Sequence, residues 1–388
     1  MIINIFFISS YSSQLGSLLA LVNHHRLKST LKEKHIFILF QLPTLSDKKC
    51  KFSPFEKNIL KNYFINFNLF KFKVNNNFKR LILWILLLLT FPLFWNNNLI
   101  IWQARPDWIK NCFSFKNFML PVILPKKNLY YCGDGFLSLC RSSIPFWLKP
   151  KGSAKQKDGF LDKNEKNTFY YLYSIDCHKP SKYDIKIPRE FVREVISEII
   201  ESKKNKKYFL IKRKELTNTR KSLLIFPTST FYETKRCSLK EEINLYLEFI
   251  NKKINVNSHF ICVKPHPGSS KIKTLTLEKK LLESGYELFR WQDYLNLGEV
   301  YKTPLEVIPL ELFISILVKQ LGIKYEKLDL TVSSNASLSC LILYPKLNYL
   351  NAFSSKLIKK YINDKFANQR LEQEDFIKKF IINNINSN

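Results

Sequence analysis

Phe260-Ile261-Cys262-Val263-Lys264-Pro265-His266-Pro267-Gly268 runs four apolar residues straight into a lysine and a histidine set among prolines. The apolar run has the length of a buried strand. The loop after it stands where an open α/β sheet holds its ligands, at the carboxyl end of a strand. Prolines on both sides of His266 stiffen the loop, so the imidazole is fixed and can face the same anion as Lys264. A surface turn with an incidental histidine is the bland alternative.

Working outward, the same strand-then-polar-loop pattern recurs on both sides. Leu223-Leu224-Ile225-Phe226 is a strand followed by the turn Pro227-Thr228-Ser229-Thr230 and a helix over about 238–253. A helix is expected around 276–284, a further segment spans 306–320, and a strand lies at 330–332. The last of these opens into Val332-Ser333-Ser334-Asn335-Ala336-Ser337 at the start of a helix. Serine hydroxyls and the unpaired N–H groups of a helix N-terminus make an anion site, although ordinary N-capping uses the same residues. Two strand-end anion features in one domain favour a phosphate ligand. The segment 354–385 reads as one amphipathic helix packing back over the fold.

The first half alternates in the same way. A strand over 2–8 is followed by a polar turn at 9–13, a helix over 15–27 and a strand over 35–42. Further strands are expected at 99–103, 122–124, 129–132 and 169–175, and a helix over 188–202 with Phe191, Val195, Ile199 and Ile200 on one side. The stretch 149–168 is charged and poor in large apolar residues, as an exposed insertion would be. The expected organisation is a first Rossmann-like domain over 1–215, a second over 216–350 and a helical segment over 351–388. Alternation alone supports this division, because no internal repeat relates the halves.

Composition sets the outer limits. The 388 residues, 46% of them hydrophobic, can bury two cores. Lys plus Arg number 62 against 32 for Asp plus Glu, a formal charge of +30 that suits a polyanionic partner. The abundance of Lys, Asn, Ile and Phe from end to end offers a second account of that charge in compositional bias. The eight cysteines form no CxxC pair and no zinc set, as expected of free, mostly buried thiols in a reducing compartment. The N-terminus has no basic region before its apolar run and reads as a buried first strand. Leu81 to Trp95 (LILWILLLLTFPLFW) is almost wholly apolar, yet fifteen residues interrupted by Pro92 fall short of the roughly 20 that span a bilayer. A buried or membrane-facing helix is expected there.

The strand over 129–132 runs directly into Gly133-Asp134-Gly135. Glycines on both sides of one carboxylate permit a tight backbone and close approach of a substrate, and a plain turn would use the same residues. Walker, GxGxxG, HExxH and D-x-D motifs are absent, which removes support for kinase, nicotinamide, zinc-protease and metal-dependent sugar-nucleotide readings.

Taken together, these motifs resemble the bacterial sialyltransferases of the GT-B fold, and within them the α-2,8-polysialyltransferase type. That family combines a D/E-D/E-G motif in the first domain with K-x-H-P, a following Glu and a Ser-Ser motif in the second. Here the order is kept by Gly133-Asp134-Gly135, Lys264-Pro265-His266-Pro267, Pro309-Leu310-Glu311 and Ser333-Ser334. The resemblance covers roughly residues 1–350 and is densest over 220–345. It implies two Rossmann-type domains facing a cleft, and an inverting transfer from CMP-sialic acid or a related CMP-sugar with no metal or cofactor. Asp134 would deprotonate the acceptor hydroxyl and His266 would stabilise the departing CMP phosphate. Ser333 and Ser334 would bind that phosphate, Glu311 the ribose hydroxyls, and Lys264 with Pro267 the nucleotide side; Gly133 and Gly135 shape the active-site loop. Gly133 departs from the first acid of the family motif. The implied partners are the nucleotide sugar and an anionic glycan acceptor such as polysialic acid or capsular polysaccharide, in the cytoplasm or attached peripherally to the inner membrane face. Two other readings compete: an inactive GT-B-like protein, and a basic membrane- or nucleic-acid-binding protein. The second would gather Lys/Arg and aromatics on one element, whereas here the basic residues are spread through both halves.

Overall fold

The computed structural model describes residues 1–8, 11–41, 56–74, 77–89, 98–103, 129–132, 168–171, 184–201, 221–290, 305, 308–319, 321–333, 335–351 and 353–384. They fall into two units, the first running to Ile199 and the second from Ile200. Each holds one parallel sheet, the α/β layout expected of a GT-B-like chain.

In chain order the first unit comprises β1 (Ile2–Ile8), α1 (Tyr11–Leu27), β2 (Lys34–Gln41), α2 (Glu56–Tyr63), β3 (Asn66–Lys73), α3 (Asn77–Leu89), β4 (Leu99–Gln103), β5 (Leu129–Cys132), β6 (Thr168–Tyr171), β7 (Asp184–Lys186) and α4 (Arg189–Glu201). Its strand order is β3-β2-β1-β4-β5-β6-β7, parallel throughout. Sequence order reverses between β1 and β4. The register sets Phe6 beside Trp102, and the two rings stack 6.1 Å apart in the core. Helix α1 begins at Tyr11, four residues before the expected Leu15. The edge strand β3 and helix α2 had no counterpart in the sequence reading.

The second unit follows with β8 (Ser222–Pro227), α5 (Leu239–Lys253), β9 (His259–Lys264), α6 (Lys271–Glu283), β10 (Glu287–Leu288), α7 (Leu310–Lys319), a 3-10 turn at Tyr325–Lys327, β11 (Leu328–Thr331), α8 (Asn335–Leu343), β12 (Asn348–Leu350), α9 (Ser355–Tyr361) and α10 (Asp364–Asn384). Its order is β10-β9-β8-β11-β12, again parallel, with the reversal between β8 and β11. Leu224, Phe226, Ile261 and Val263 enter one core with α5, α6 and α9. Leu223, Ile225 and Cys262 alternate to the other face and are equally buried, so both faces of the sheet are covered. A capping box starts α5: the Ser238 N–H donates to Glu241 and the Glu241 N–H donates back to the Ser238 hydroxyl.

Three expectations need correcting. Helix α6 starts at Lys271, five residues before the expected Thr276, because Ser270 caps it by accepting from the Lys273 N–H. The single terminal helix is two, α9 and α10. They are broken at Ile362–Asn363, where the Asn363 N–H leaves the helical ladder to donate to the Arg236 carbonyl. Of the two alternatives for the apolar helix α3, burial is the one set aside: Leu83 is buried while Leu81, Ile82 and Ile85 are exposed. Among the described residues no helix is long and apolar enough to cross a membrane. The expected strand at 122–124 and the insertion at 149–167 lie outside the described residues.

Among the described residues Cys132, Cys237, Cys262 and Cys340 are buried and form no disulfide. Burial pushes their Cys237, Cys262 and Cys340 thiols above the usual range, which leaves them unreactive packing residues.

The core of the first unit contains three histidines. Asn4 on β1 is fully buried, and its carbonyl oxygen lies 3.2 Å from both His25 Nε2 and Trp102 Nε1, while its amide reaches His35 Nδ1 at 3.4 Å. His35 Nε2 lies 2.8 Å from the Thr30 carbonyl oxygen. Burial, aided by the neighbouring Lys28 charge, lowers the His24 pKa to about 3; burial together with His24, His35 and Lys28 lowers that of His25 to about 2. Both folded values lie below the ordinary 6.5, so the stability these neutral rings contribute is fully present above that pH. It is lost as pH falls through 6.5 towards the folded values, by about 1.4 kcal/mol per pH unit for each ring. Thermal melts between pH 7 and pH 5 should therefore show a steep fall in Tm, and a His25→Asn variant should melt lower at pH 7 but with a shallower slope below it.

Candidate functional site

The three central strands of the second sheet, β9, β8 and β11, end side by side, and their carboxyl-end loops are tied to one another by hydrogen bonds. The Thr228 N–H donates to the Lys264 carbonyl (3.0 Å) and the His266 N–H donates to the Thr228 hydroxyl (3.1 Å), joining the β8 and β9 loops. On the other side, the Ser229 hydroxyl donates to the Ser333 carbonyl (3.1 Å) and the Ser333 hydroxyl donates to the Pro227 carbonyl. These loops flank the reversal between β8 and β11, which is where open α/β sheets take ligands.

His266 is solvent-exposed, but its ring is oriented by its own loop. The Gly268 N–H donates to Nδ1 at 3.0 Å, so Nδ1 is the acceptor and the neutral ring carries its proton on Nε2. A Cβ at Gly268 would lie 3.4 Å from Nδ1 and 3.7 Å from the Thr230 methyl, ordinary contact distances. Crowding by the surrounding loops, then the positive charges of Lys264 and Lys273, lowers the His266 pKa to about 4, with Glu233 acting in the opposite sense. At neutral pH His266 is an uncharged Nε2–H donor beside two ammonium groups. Lys264 ends β9 with its side chain buried and Nζ donating to the Pro265 carbonyl (3.2 Å). Pro267 is exposed beside His266.

Beneath these loops lies a charge cluster that the sequence did not reveal. Lys273, in the first turn of α6, is fully buried; Nζ donates to the Ser229 carbonyl (2.6 Å), to Glu233 (2.7 Å) and to Glu242 (3.0 Å). Glu242, also buried, accepts from the Tyr232 N–H (2.7 Å) and from the Tyr246 hydroxyl, which itself accepts from the Ser229 N–H at 2.8 Å. Burial works to raise the Glu233 carboxyl, but hydrogen bonds from Lys273 and from the Ser270 N–H outweigh it and hold the carboxyl below its usual range. The cluster pins the backbone of 229–233 from below. The hydroxyl run Thr228-Ser229-Thr230 after β8 was the available signal for that loop, placed as the Lys-Pro-His-Pro run is after β9. Lys273 had no such signal, because the helix carrying it was expected to begin three residues later.

The other expected residues are placed as follows. The Ser333 hydroxyl is buried between strands, with Thr331 Oγ1 3.3 Å away, so it stitches β11 to β8. Arg370 of α10 donates to the Ser333 carbonyl (3.3 Å), and its guanidinium lies over Phe231 and Phe353, 5.1 and 5.5 Å from their centroids. Glu311 stands in the first turn of α7, its carbonyl accepting at 3.0 Å from Tyr344, the residue just after α8. Gly133, Asp134, Gly135 and Ser334 lie outside the described residues. Cys132, one residue before Gly133, ends β5 and is fixed by the Ser17 hydroxyl of α1, 2.9 Å from its sulfur. Among the described residues no three His, Cys, Asp or Glu side chains converge to hold a metal ion.

No protein-family model matches the sequence, and a search of curated proteins finds no match. Several solved structures resemble the chain trace at low identity. The Staphylococcus aureus protein MnaA, solved with UDP, has a TM-score of 0.47 at 10% identity, covering 96% of this chain and 88% of its own. The UDP-GlcNAc 2-epimerase of Methanocaldococcus jannaschii has a TM-score of 0.45 at 10% identity, covering 96% and 92%. A 2,6-sialyltransferase from Photobacterium sp. JT-ISH-224, solved with CMP and lactose, has a TM-score of 0.39 at 12% identity, covering 90% and 78%.

Two outcomes are expected from this geometry. In 15N-resolved spectra at pH 7, His266 should show the Nε2–H neutral form, and it should not gain its second proton until the pH approaches 4, well below an ordinary imidazole. Replacing Lys273 by Met strands Glu242 in the core without its cation and should destabilise the protein by roughly 3–5 kcal/mol in urea titrations. Adding Glu242→Gln to that variant should restore a substantial part of the loss.

Proposed function

We propose that the chain is an inverting glycosyltransferase of GT-B architecture that moves sialic acid, or a related nonulosonic acid, from a CMP-sugar to a glycan acceptor. The observation that carries the proposal is His266: an exposed imidazole whose Nδ1 is held as an acceptor, leaving Nε2–H as the donor, at the sheet reversal, among loops joined by hydroxyl and backbone hydrogen bonds. A donor of this kind meets negative charge as it develops on a leaving phosphate without having to transfer a proton. CMP is a good leaving group, so stabilisation by hydrogen bonds is chemically sufficient.

In the proposed reaction the acceptor hydroxyl attacks the anomeric carbon while Asp134 takes its proton. The bond from that carbon to the phosphate oxygen breaks on the opposite side, and CMP departs with the electron pair. Displacement from the opposite face inverts the anomeric centre. His266 Nε2–H, Ser334 and the N-terminal N–H groups of α8 receive the phosphate. Ser333 serves by holding the turn that leads into α8, its own hydroxyl being engaged with Pro227. Lys264 and Pro267 border the nucleotide, and Glu311 takes the ribose hydroxyls. With no D-x-D in the sequence, the role of a metal falls to these donors. Asp134 rests on the motif resemblance and on its place two residues beyond the end of β5.

A +30 chain suits an acidic acceptor, and a polysialic or other capsular polysaccharide is the proposed product class. The proposed place of work is the cytoplasm, at the inner face of the membrane. The test is CMP release from CMP-sialic acid by the purified protein, with and without a sialylated oligosaccharide, beside Asp134→Ala and His266→Ala. Acceptor-dependent release that falls by about a hundredfold or more in each variant is expected. No CMP binding by calorimetry, or UDP bound in its place, would overturn the assignment in favour of another nucleotide sugar or a fold kept without this chemistry.

A further inference from the structure

Helix α3 has the inside and outside of a surface helix exchanged. At 100° per residue, Phe78, Leu81, Ile82, Ile85 and Leu89 fall within an arc of about 100°, and all five are exposed. Phe78 is 70% and Leu89 72% exposed, values that no packed core residue reaches. Leu83, on the opposite side, is the buried one. Scattered exposed leucines are ordinary, but five on one stripe of one helix are an apolar face in contact with no described residue that hides it.

The strand that leads into α3 continues the pattern. Phe70 and Phe72 of β3 are exposed on the same face of the sheet, and Phe72 closes a ladder of rings that rises from the fully buried Phe7 through Phe40, each pair 5.5 Å apart. Lys71 and Lys73 alternate with them onto the other face of this edge strand, where they too are exposed, and Lys79 stands exposed at the start of α3. From residue 56 to residue 89 the chain carries six Lys or Arg and a single acid, Glu56. Apolar and aromatic side chains bordered by cations, with almost no carboxylate, is the pattern of a segment lying in the interface of an anionic bilayer.

Two other occupants fit less well. The 13 residues of α3 extend about 20 Å, short of the roughly 30 Å of a hydrocarbon core, so the helix lies along a membrane and does not cross it. A second copy of the chain could add to β3, which is the edge of its sheet, but lysines on an edge strand oppose that pairing.

We infer that α3 and the outer edge of β3 form the surface by which this protein docks on a membrane rich in anionic lipid, with Phe78, Leu81, Ile85 and Leu89 entering the acyl boundary and Lys71, Lys73 and Lys79 meeting the headgroups. The inference gives residues to the peripheral attachment proposed above, and it stands or falls apart from the donor sugar, since its test involves no nucleotide.

The test floats the full chain with phosphatidylcholine vesicles and with vesicles that also contain phosphatidylglycerol. Binding to the second is expected to exceed binding to the first by about tenfold and to weaken as salt is added. Phe78→Asp and Leu89→Asp, at positions so exposed that the melting temperature should not change, are each expected to reduce binding at least about tenfold. Lys71→Glu with Lys73→Glu should reduce it as well, whereas the charge-matched pair Lys356→Glu and Lys359→Glu on α9 should leave it intact. Equal loss from both lysine pairs would assign binding to overall charge and overturn the inference. So would equal binding to both vesicle types, or undiminished binding by the Asp variants. A dimer in solution that Phe78→Asp converts to monomer, without vesicle binding by the parent, would assign the face to a second copy and overturn it too.

Discussion

A lysine with no access to water must be answered at every one of its protons, and Lys273 is answered by one backbone carbonyl and one carboxylate from the loop after β8 and a second carboxylate from α5. Much of the second unit depends on that requirement. Glu242 must be on the inward side of α5, Glu233 must come down from the loop after β8, and α6 must begin early enough to put residue 273 in its first turn. Tyr246 completes the arrangement by linking Glu242 to the Ser229 N–H. The loop that results has its backbone polar groups paired from below, which leaves its upper side and the neighbouring imidazole to act on something else. The same buried ammonium helps keep His266 uncharged. One interaction therefore fixes the shape of the loop and adds, after burial and Lys264, to what keeps the ring neutral.

The two units solve the burial of polar groups by opposite means. In the first, Asn4 gathers neutral histidines and an indole around one amide, and nothing in that group is charged at neutral pH. In the second, full charges are buried and matched. Both devices sit against the central strands, where the parallel sheet is covered on both faces and an unmatched polar group would be most costly.

What could be read from the sequence follows the range over which each signal acts. Strand-helix alternation is local, so β1, β4, β5, β8 and β9 were legible nearly to the residue, as were α4 and α5. Edge strands carry a weaker signal: β3, Asn-Phe-Asn-Leu-Phe-Lys-Phe-Lys, mixes lysine and asparagine into its pattern because only part of it is covered. The start of α6 and the break at Asn363 are decided by single hydrogen bonds, from Ser270 and to the Arg236 carbonyl, and no periodicity records them. At the site, the Lys-Pro-His-Pro loop was legible because its position after a strand is itself the signal. The direction of the Ser333 hydroxyl was not, since it turns on a carbonyl 106 residues away at Pro227. The histidines of the first core were invisible for a related reason, since α1 must pack on the sheet before His25 meets Asn4 and His35.

Arg370 gives the order of synthesis a structural meaning. The turn that enters α8 is held at the Ser333 carbonyl by a side chain from the last helix, whose guanidinium also packs on Phe231 of the β8 loop and on Phe353. On a ribosome the first sheet can pair and the strands of the second can form while the C-terminus is still inside the exit tunnel. The turn into α8 and the loop after β8 lack these contacts until residue 370 has emerged.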